Sequence, residues 1–408
     1  MGGESTRALT VEEALARVLA DVTVIADVES VPLLEAAGRV LAEPPAARHN
    51  QPPFDASAMD GYAVRSADVV RLPATLEVIG EAAAGHGFAG AVGSGEAVRI
   101  FTGAPMPQGA DAIVIQENTE RRENRVIVLE GRPDGEHIRP CGGDFRAGDT
   151  PLMAGQTLAA RHLLLAASMG HTKLSARRKP RVAIIATGDE LVLPGEMPGP
   201  DQIVCSNPIG VAAMLRTWGA EIEFLGIARD TKASLDELIG RACGADILIT
   251  LGGASVGDHD LVGPTLAERG MALDFWKIAM RPGKPLMFGR LGTQRVLGLP
   301  GNPVSSMITA RLFVVPLVST LLGSSNWAAG ALHMMPVAED LPANGPRAHY
   351  MRAIRQRTAG QSDGVVPMPN QDSSLVTPLA AADALIVRPI RAEAVKQGMP
   401  VPVILLDF

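Results

Sequence analysis

Between Arg181 and Leu299 the chain alternates apolar strands with amphipathic helices, and no other feature restricts the fold as much. "RVAIIATG" is followed by a helical stretch from Pro208 to Trp218, then "EIEFLGIA", a helical stretch from Ser234 to Ala242, and "DILIT". Near-continuous apolar runs are what strands need when both faces of a parallel sheet are covered, so an α/β layer structure is expected here. Two further strand candidates, Phe275 to Ala279 and Val296 to Leu299, precede a long helix from Pro303 to about Leu322.

Open α/β sheets take their ligands beyond the carboxyl ends of the strands, so the loops there are the first place to look for chemistry. "ATGDEL" puts Asp189 and Glu190 after the first strand, "ARD" puts Asp230 after the second, and "LGGASVGDHD" puts Gly252, Gly253, Ser255, Asp258 and Asp260 after the third. "MRPGKP" adds Arg281 and Lys284, and "GLPGNPVSS" sets Pro300, Asn302, Pro303 and Ser305 at the start of the long helix, whose N-terminal end carries partial positive charge. Glycines let backbone N–H groups approach an oxyanion closely. Carboxylates beside an anion would repel it unless a divalent cation sits between them, and Asp and Glu oxygens are the ligands of a Mg²⁺ shared with phosphates. Each residue also has a purely structural reading: Asp189 or Asp230 as a helix N-cap, Asn302 as a turn former. Convergence of five loops on one rim favours an anion-binding active site.

The flanks differ in texture. Thr10 and Glu13 form a capping box ahead of Ala14, Leu15, Val18 and Leu19, which share one helical face. Leu33 to Leu41 reads as a second helix, ended by Pro44-Pro45. From His49 to Cys141 short apolar runs alternate with Gly, Pro and Asn, as in a small β lobe; Leu158 to Met169 is helical again, and "RRKPR" marks an exposed boundary. After Trp327 helical patterns vanish and strand-like runs at His349 to Arg355, Ala384 to Arg388 and Val401 to Leu406 predict a compact β domain.

Three motifs mislead. "GHGFAG" matches GxGxxG, but no helix follows to receive a pyrophosphate. Gly253-Ala-Ser255-Val-Gly257 matches the hydrolase GxSxG, yet Asp258 and Asp260 beside it would oppose a developing oxyanion. None of the eight histidines has HxxxH or HxxH spacing, so a histidine metal site is not suggested.

Composition excludes further classes. A chain of 408 residues with 47% hydrophobic and 20% charged residues is globular and long enough for several domains. A net charge of −7 argues against broad nucleic-acid binding. Three scattered cysteines suggest neither a disulfide framework nor a thiolate zinc site, which fits a reducing cytoplasm. The longest strongly apolar helical stretch, around Leu312 to Leu322, contains Pro316, Ser319 and Thr320 and falls short of the ~20 residues of a membrane span. The N-terminus lacks the basic-then-apolar pattern of an export signal.

Taken in order, "FDASAMDGYAV", "RIFTGAPMPQGADAIV", "ATGDEL", "LGGASVGDHD", "RPGKP" and "GLPGNPVSS" closely resemble the molybdopterin molybdenumtransferases, the bacterial MoeA and gephyrin E-domain family. The resemblance implies a cytoplasmic homodimer that takes adenylylated molybdopterin and molybdate, requires Mg²⁺, releases AMP and leaves molybdenum on the dithiolene, with a molybdopterin adenylyltransferase as upstream partner and neither nucleic acid nor membrane involved.

It also implies an α/β multidomain fold. Residues 1–28 form an N-terminal helix packed on the α/β domain, 29–48 with 146–177 a small mixed α+β domain, and 49–145 an inserted β lobe. Residues 178–326 form a three-layer α/β/α domain with a mostly parallel sheet, and 327–408 a C-terminal β-barrel-like domain. Carried over by motif, Asp60 and Thr102 reach the active site from the inserted lobe of the partner subunit. Glu190, Asp230, Asp258 and Asp260 are the acidic metal-associated positions. Gly252, Gly253, Ser255 and Lys284 hold phosphate or molybdate, and Arg352 of "HYMRA" with Ser373 of "QDSSL" helps bind molybdate. Arg281 stands where lysine is frequent and keeps the charge. The competing readings are a molybdopterin adenylyltransferase on the same kind of sheet and a scaffold that has lost catalysis.

Overall fold

A computed structural model describes residues 8–131, 135–253, 261–324, 332–356, 364–406 and 408. Its central sheet has six strands in the spatial order Glu221–Ala228, Arg181–Thr187, Ile247–Leu251, Gln294–Leu299, Met287–Leu291, Ala272–Trp276. The first four are parallel; Met287–Leu291 is antiparallel to both its neighbours, so a single strand runs against the rest. Alternate side chains enter opposite cores. Ile184, Ile249 and Leu297 pack with the N-terminal helix Val11–Leu19 and the long helix, whereas Ile185, Leu248 and Val296 pack with Leu235 and Leu238 of helix Lys232–Arg241. The expected strand at Phe275 to Ala279 begins and ends earlier, at Ala272–Trp276, and Met287–Leu291 had no expected counterpart.

The Thr10 capping box forms, with the hydroxyl accepting from Glu13 N and the Glu13 carboxylate accepting from Thr10 N. Arg295, buried in the sheet, donates to the carbonyls of Ala20 and Asp21 at 2.9 Å each and pins the end of that helix. The long helix covers Pro303–Leu321, 19 residues, and so is longer than the apolar stretch expected from sequence. It has the length and composition of a membrane span, but 89% of it is buried against protein, where a span would face lipid.

The expected helix at Leu33 to Leu41 does not form. Val28–Pro32 is a strand antiparallel to Lys173–Arg177, Leu33–Glu35 makes one tight turn, and Val40 and Leu41 bridge to Thr157 and Ala176. Gly38, at φ +75°, breaks any helical run, and tertiary pairing overrides a weak local preference. Helix Ala160–Ser168 packs on this unit. Residues 56–128 contain a separate six-stranded sheet with an apolar cluster on each face.

In the tail, strand Ala348–Gln356 pairs with Gly364–Pro367 and Ala384–Arg388; Ala384–Arg388 pairs with Pro400–Leu405, which pairs with His333–Pro336. A bridge from Val337 to Val365 brings the strands round into a ring. The two-residue strand Met280–Arg281 also joins Ala348–Gln356, in parallel, and ties this unit to the α/β segment. A short helix, Val376–Ala381, corrects the expectation that helices end at Trp327.

Candidate active site

Strand register brings the loops to one rim. Thr187 is paired with Ala228, Ala186 with Leu251, and Leu251 with Leu299, so four strands end side by side. After the first, a Cβ on Gly188 would lie 2.3 Å from a Glu190 carboxylate oxygen, so glycine is what lets that carboxylate fold over the backbone. Asp189 and Asp230 clasp each other's main chain: Asp230 N donates to Asp189 Oδ1 at 3.1 Å, and Asp189 N to Asp230 Oδ2 at 3.4 Å. Neither acid caps a helix. The cap of Lys232–Arg241 is Thr231, whose hydroxyl accepts from Ser234 N at 3.3 Å.

Gly252 and Gly253 follow the third strand at φ +95° and +61°. A Cβ on Gly252 would lie 2.8 Å from the Thr187 carbonyl oxygen, and one on Gly253 would lie 2.4 Å from Val262, so both must be glycine for the loop to pass. Ser255, Asp258 and Asp260 lie outside the described residues. After the fourth strand, the Asn302 carbonyl accepts from Ser306 N at the start of the long helix, but the Asn302 side chain does not cap it. Its amide donates instead to Ser373 Oγ at 2.9 Å.

Two cavities adjoin along this rim and share Pro285, Pro300, Gly301 and Asn302. The first, about 770 Å³, is lined by Glu190, Asp230, Gly252, Gly253, Pro300, Asn302 and Pro303, with Cys205 and Asn207. The second, about 640 Å³, is lined by Arg281, Lys284, Ser305, Arg347, His349, Gln371 and Ser373. One offers carboxylates and glycine-rich backbone; the other offers cations and, among the described residues, no carboxylate. A bound group with anionic and cation-bridged parts finds complementary charge in that pairing. Among the described residues no three carboxylate, histidine or cysteine side chains gather closely enough to hold an ion by themselves.

Arg352 lines neither cavity. Arg352 is 1% exposed and its guanidinium donates to the carbonyls of Leu375, Asn370 and Asp372 at 3.0, 3.1 and 2.8 Å. It lies behind the wall, holding the loop that carries Ser373. Arg347 takes the exposed place in the cavity. Strand parity accounts for the exchange, since His349 and Met351 line the cavity while Tyr350 packs into the main core and Arg352 follows it on that side. Arg347 and His349, like Cys205 and Asn207 in the first cavity, are lining residues that no sequence motif marks. The Arg281 guanidinium donates to His349 Nδ1 at 2.8 Å. Burial, and then the charge of Arg281 with Arg347, Arg388 and Arg352, pushes the His349 pKa down to about 4.

Asp60 and Thr102 do meet, within the inserted lobe. Asp60 Oδ1 accepts from Thr102 N and Oγ1 at 2.8 Å each, and these bonds, with Arg99 nearby, hold the carboxyl below its usual pKa. Neither residue lines the two rim cavities.

Three family models match in sequence: the MoeA N-terminal region (domain I and II) over residues 9–170, a probable molybdopterin binding domain over 183–320, and the MoeA C-terminal region (domain IV) over 335–406. The molybdopterin molybdenumtransferase of Nostoc sp. is 37% identical over 390 residues, covering 94% of this chain and 89% of that protein. That of Haemophilus influenzae is 38% identical over 321 residues, covering 78% and 79%. A molybdopterin biosynthesis MoeA protein from Pyrococcus horikoshii superposes with TM-score 0.85 at 28% identity, over 98% of this chain and 100% of that one.

Proposed function

Because this chain belongs to the MoeA family of molybdopterin molybdenumtransferases, we propose that its two rim cavities are the halves of one site, binding adenylylated molybdopterin and molybdate respectively. The protein is a transferase of molybdenum cofactor biosynthesis that inserts molybdenum into molybdopterin. The observation that carries the site assignment is the contact of a carboxylate-lined cavity with a cationic one that has no carboxylate among the described residues, across Pro300 to Asn302.

In this reading Gly252, Gly253 and the Asn302–Pro303 helix start receive the phosphates, with Ser255 contributing its hydroxyl. Arg281, Lys284, Arg347, Ser305 and Ser373 receive molybdate, the arginines and lysine matching its charge and the hydroxyls its oxygens. Glu190 and Asp230 suit Mg²⁺, which is bound by one or two carboxylates together with substrate phosphates rather than by an all-protein cage; Asp258 and Asp260 would complete the set. When bound, the ion neutralises charge on the pyrophosphate. AMP release is substitution at phosphorus: an oxygen nucleophile bonds to phosphorus, the P–O bond to AMP breaks, and AMP departs with its electron pair. Glu190 or Asp230 orients the nucleophile, and Lys284, in the adjoining cavity, holds molybdate as a point charge.

Asp60 and Thr102 complete the site from the partner of a homodimer. The division into residues 1–28, 29–48 with 146–177, 49–145, 178–326 and 327–408, the last barrel-like, is the corresponding set of functional units, and a cytoplasmic setting with a molybdopterin adenylyltransferase upstream follows. The adenylyltransferase alternative accounts for the α/β segment alone, whereas the family match runs through both flanks. Purified protein given adenylylated molybdopterin, Mg²⁺ and molybdate should release AMP and load molybdenum in equal amounts. Incorporation of nucleotide from ATP into molybdopterin would support the adenylyltransferase, and dimerisation without either reaction the scaffold.

A further inference from the structure

We propose that His349 is a positioning residue of the cationic cavity: an uncharged hydrogen-bond acceptor that holds the Arg281 guanidinium at the wall while leaving its positive charge uncompensated. The inference rests on the reading of that cavity as the molybdate site.

The geometry is local and specific. Arg281 and His349 are register partners in the parallel pairing of Met280–Arg281 with Ala348–Gln356, so the two side chains rise from neighbouring points of one sheet. Arg281 Nη2 lies 2.8 Å from His349 Nδ1, and both residues line the cavity. His349 is 5% exposed, and among the described residues the charged groups acting on it are Arg281, Arg347, Arg388 and Arg352, all cationic. An arginine held at a fixed angle most often has a carboxylate partner, because a carboxylate satisfies the fork and cancels its charge. Here the partner is an imidazole. With its pKa pushed down to about 4 by burial and by those arginines, it is neutral under physiological conditions, with Nδ1 free to accept and the proton on Nε2.

The difference matters for a small dianion. Molybdate must give up its hydration to enter, and the return depends on the uncompensated charge it meets. A carboxylate at position 349 would supply the same hydrogen bond to Arg281 and remove one charge from the cavity. An apolar residue would keep the charge and release the guanidinium from its orientation. His349 separates orientation from neutralisation.

The test uses full-length protein, with molybdate binding followed by equilibrium dialysis and AMP release followed against molybdate concentration. His349→Gln, which retains a neutral acceptor, should bind molybdate within about threefold of wild type, whereas His349→Glu should bind about tenfold or more weakly. The loss should appear in the molybdate KM, with kcat at saturating molybdate and affinity for adenylylated molybdopterin preserved. His349→Leu provides a variant free of a buried acid, should His349→Glu fail to fold, and should also raise the molybdate KM while sparing kcat. Wild-type affinity in His349→Glu or in His349→Leu, or equal losses in the Gln and Glu variants, would overturn the role of His349. Failure of the wild-type protein to bind molybdate would instead overturn the assignment of the cavity.

Discussion

Asn302, at the start of the long buried helix, donates its side-chain amide to the hydroxyl of Ser373 at 2.9 Å, joining segments 71 residues apart in the chain. Val304 N adds a bond to the Ser373 carbonyl at 3.1 Å. The tail therefore closes the cationic cavity against the helix start, and the α/β segment alone would leave that cavity open on one side. Several consequences are measurable.

Lys284 lines the cavity and is exposed. Lys284→Ala should weaken molybdate or nucleotide-substrate binding by about 1.5–3 kcal/mol, the range for a hydrogen bond to a charged group. Calorimetric titration checks this, and unchanged affinity for both ligands would remove Lys284 from the site.

Arg352→Met should act through the loop it holds. Three carbonyls lose their donor at once, so stability should fall by roughly 3 kcal/mol or more. Molybdate affinity should fall with it, although Arg352 itself does not reach the cavity surface. Urea unfolding together with dialysis separates this from a direct ligand role, in which affinity would drop while stability held.

Gly252→Ala introduces a Cβ at φ +95° and 2.8 Å from the Thr187 carbonyl oxygen. The cost should exceed about 1 kcal/mol of stability, and AMP release should collapse because the phosphate loop shifts. A melting temperature equal to wild type would contradict the close approach.

His349 predicts a pH effect of definite sign. Its pKa is about 4 in the folded chain and near the ordinary 6.5 when unfolded, so between those values the unfolded state binds more protons. Stability is therefore complete above about pH 6.5 and lost as pH falls toward 4. From pH 6.5 to 4.5 the wild-type protein should lose about 2–3 kcal/mol more than His349→Gln. Parallel stability profiles for the two proteins would show that His349 titrates normally.

If Asp60 serves the site of a partner subunit, Asp60→Asn and Glu190→Gln should complement. Each homodimer should be inactive, whereas random co-assembly leaves one intact site in each mixed dimer, about a quarter of all sites. Absence of recovered AMP release in the mixture would place both residues in a site made by one chain, or Asp60 outside the chemistry.

Long-period signals carried the legible part of the fold. Apolar runs such as Ile184–Ile185 and Ile247–Leu251 feed two cores at once, and that double burial makes parallel strands easy to read. The Thr10 capping box is local and complete in four residues. Met287–Leu291 was missed because "MFGRL" is five residues long, contains glycine, and owes its place to two antiparallel neighbours. Leu33 to Leu41 misled because its apolar spacing suits a helix while its partners, Lys173–Arg177 and Thr157, lie far along the chain. In the site, Glu190, Asp230, Gly252 and Asn302 were readable as strand-end loops. Arg347 was not, since it precedes its strand and belongs to no motif, though alternation along Ala348–Gln356 already sets His349 and Arg352 on opposite faces.

The most direct measurement of the central claim is a crystal structure of the protein soaked with AMP, Mg²⁺ and molybdate. The account predicts molybdate within hydrogen-bonding reach of Arg281, Lys284 and Ser373, and Mg²⁺ with the AMP phosphate beside Glu190 and Asp230, on either side of Pro300 to Asn302. Molybdate bound away from Arg281 and Lys284, or AMP and molybdate on separate faces with no shared wall, would contradict it.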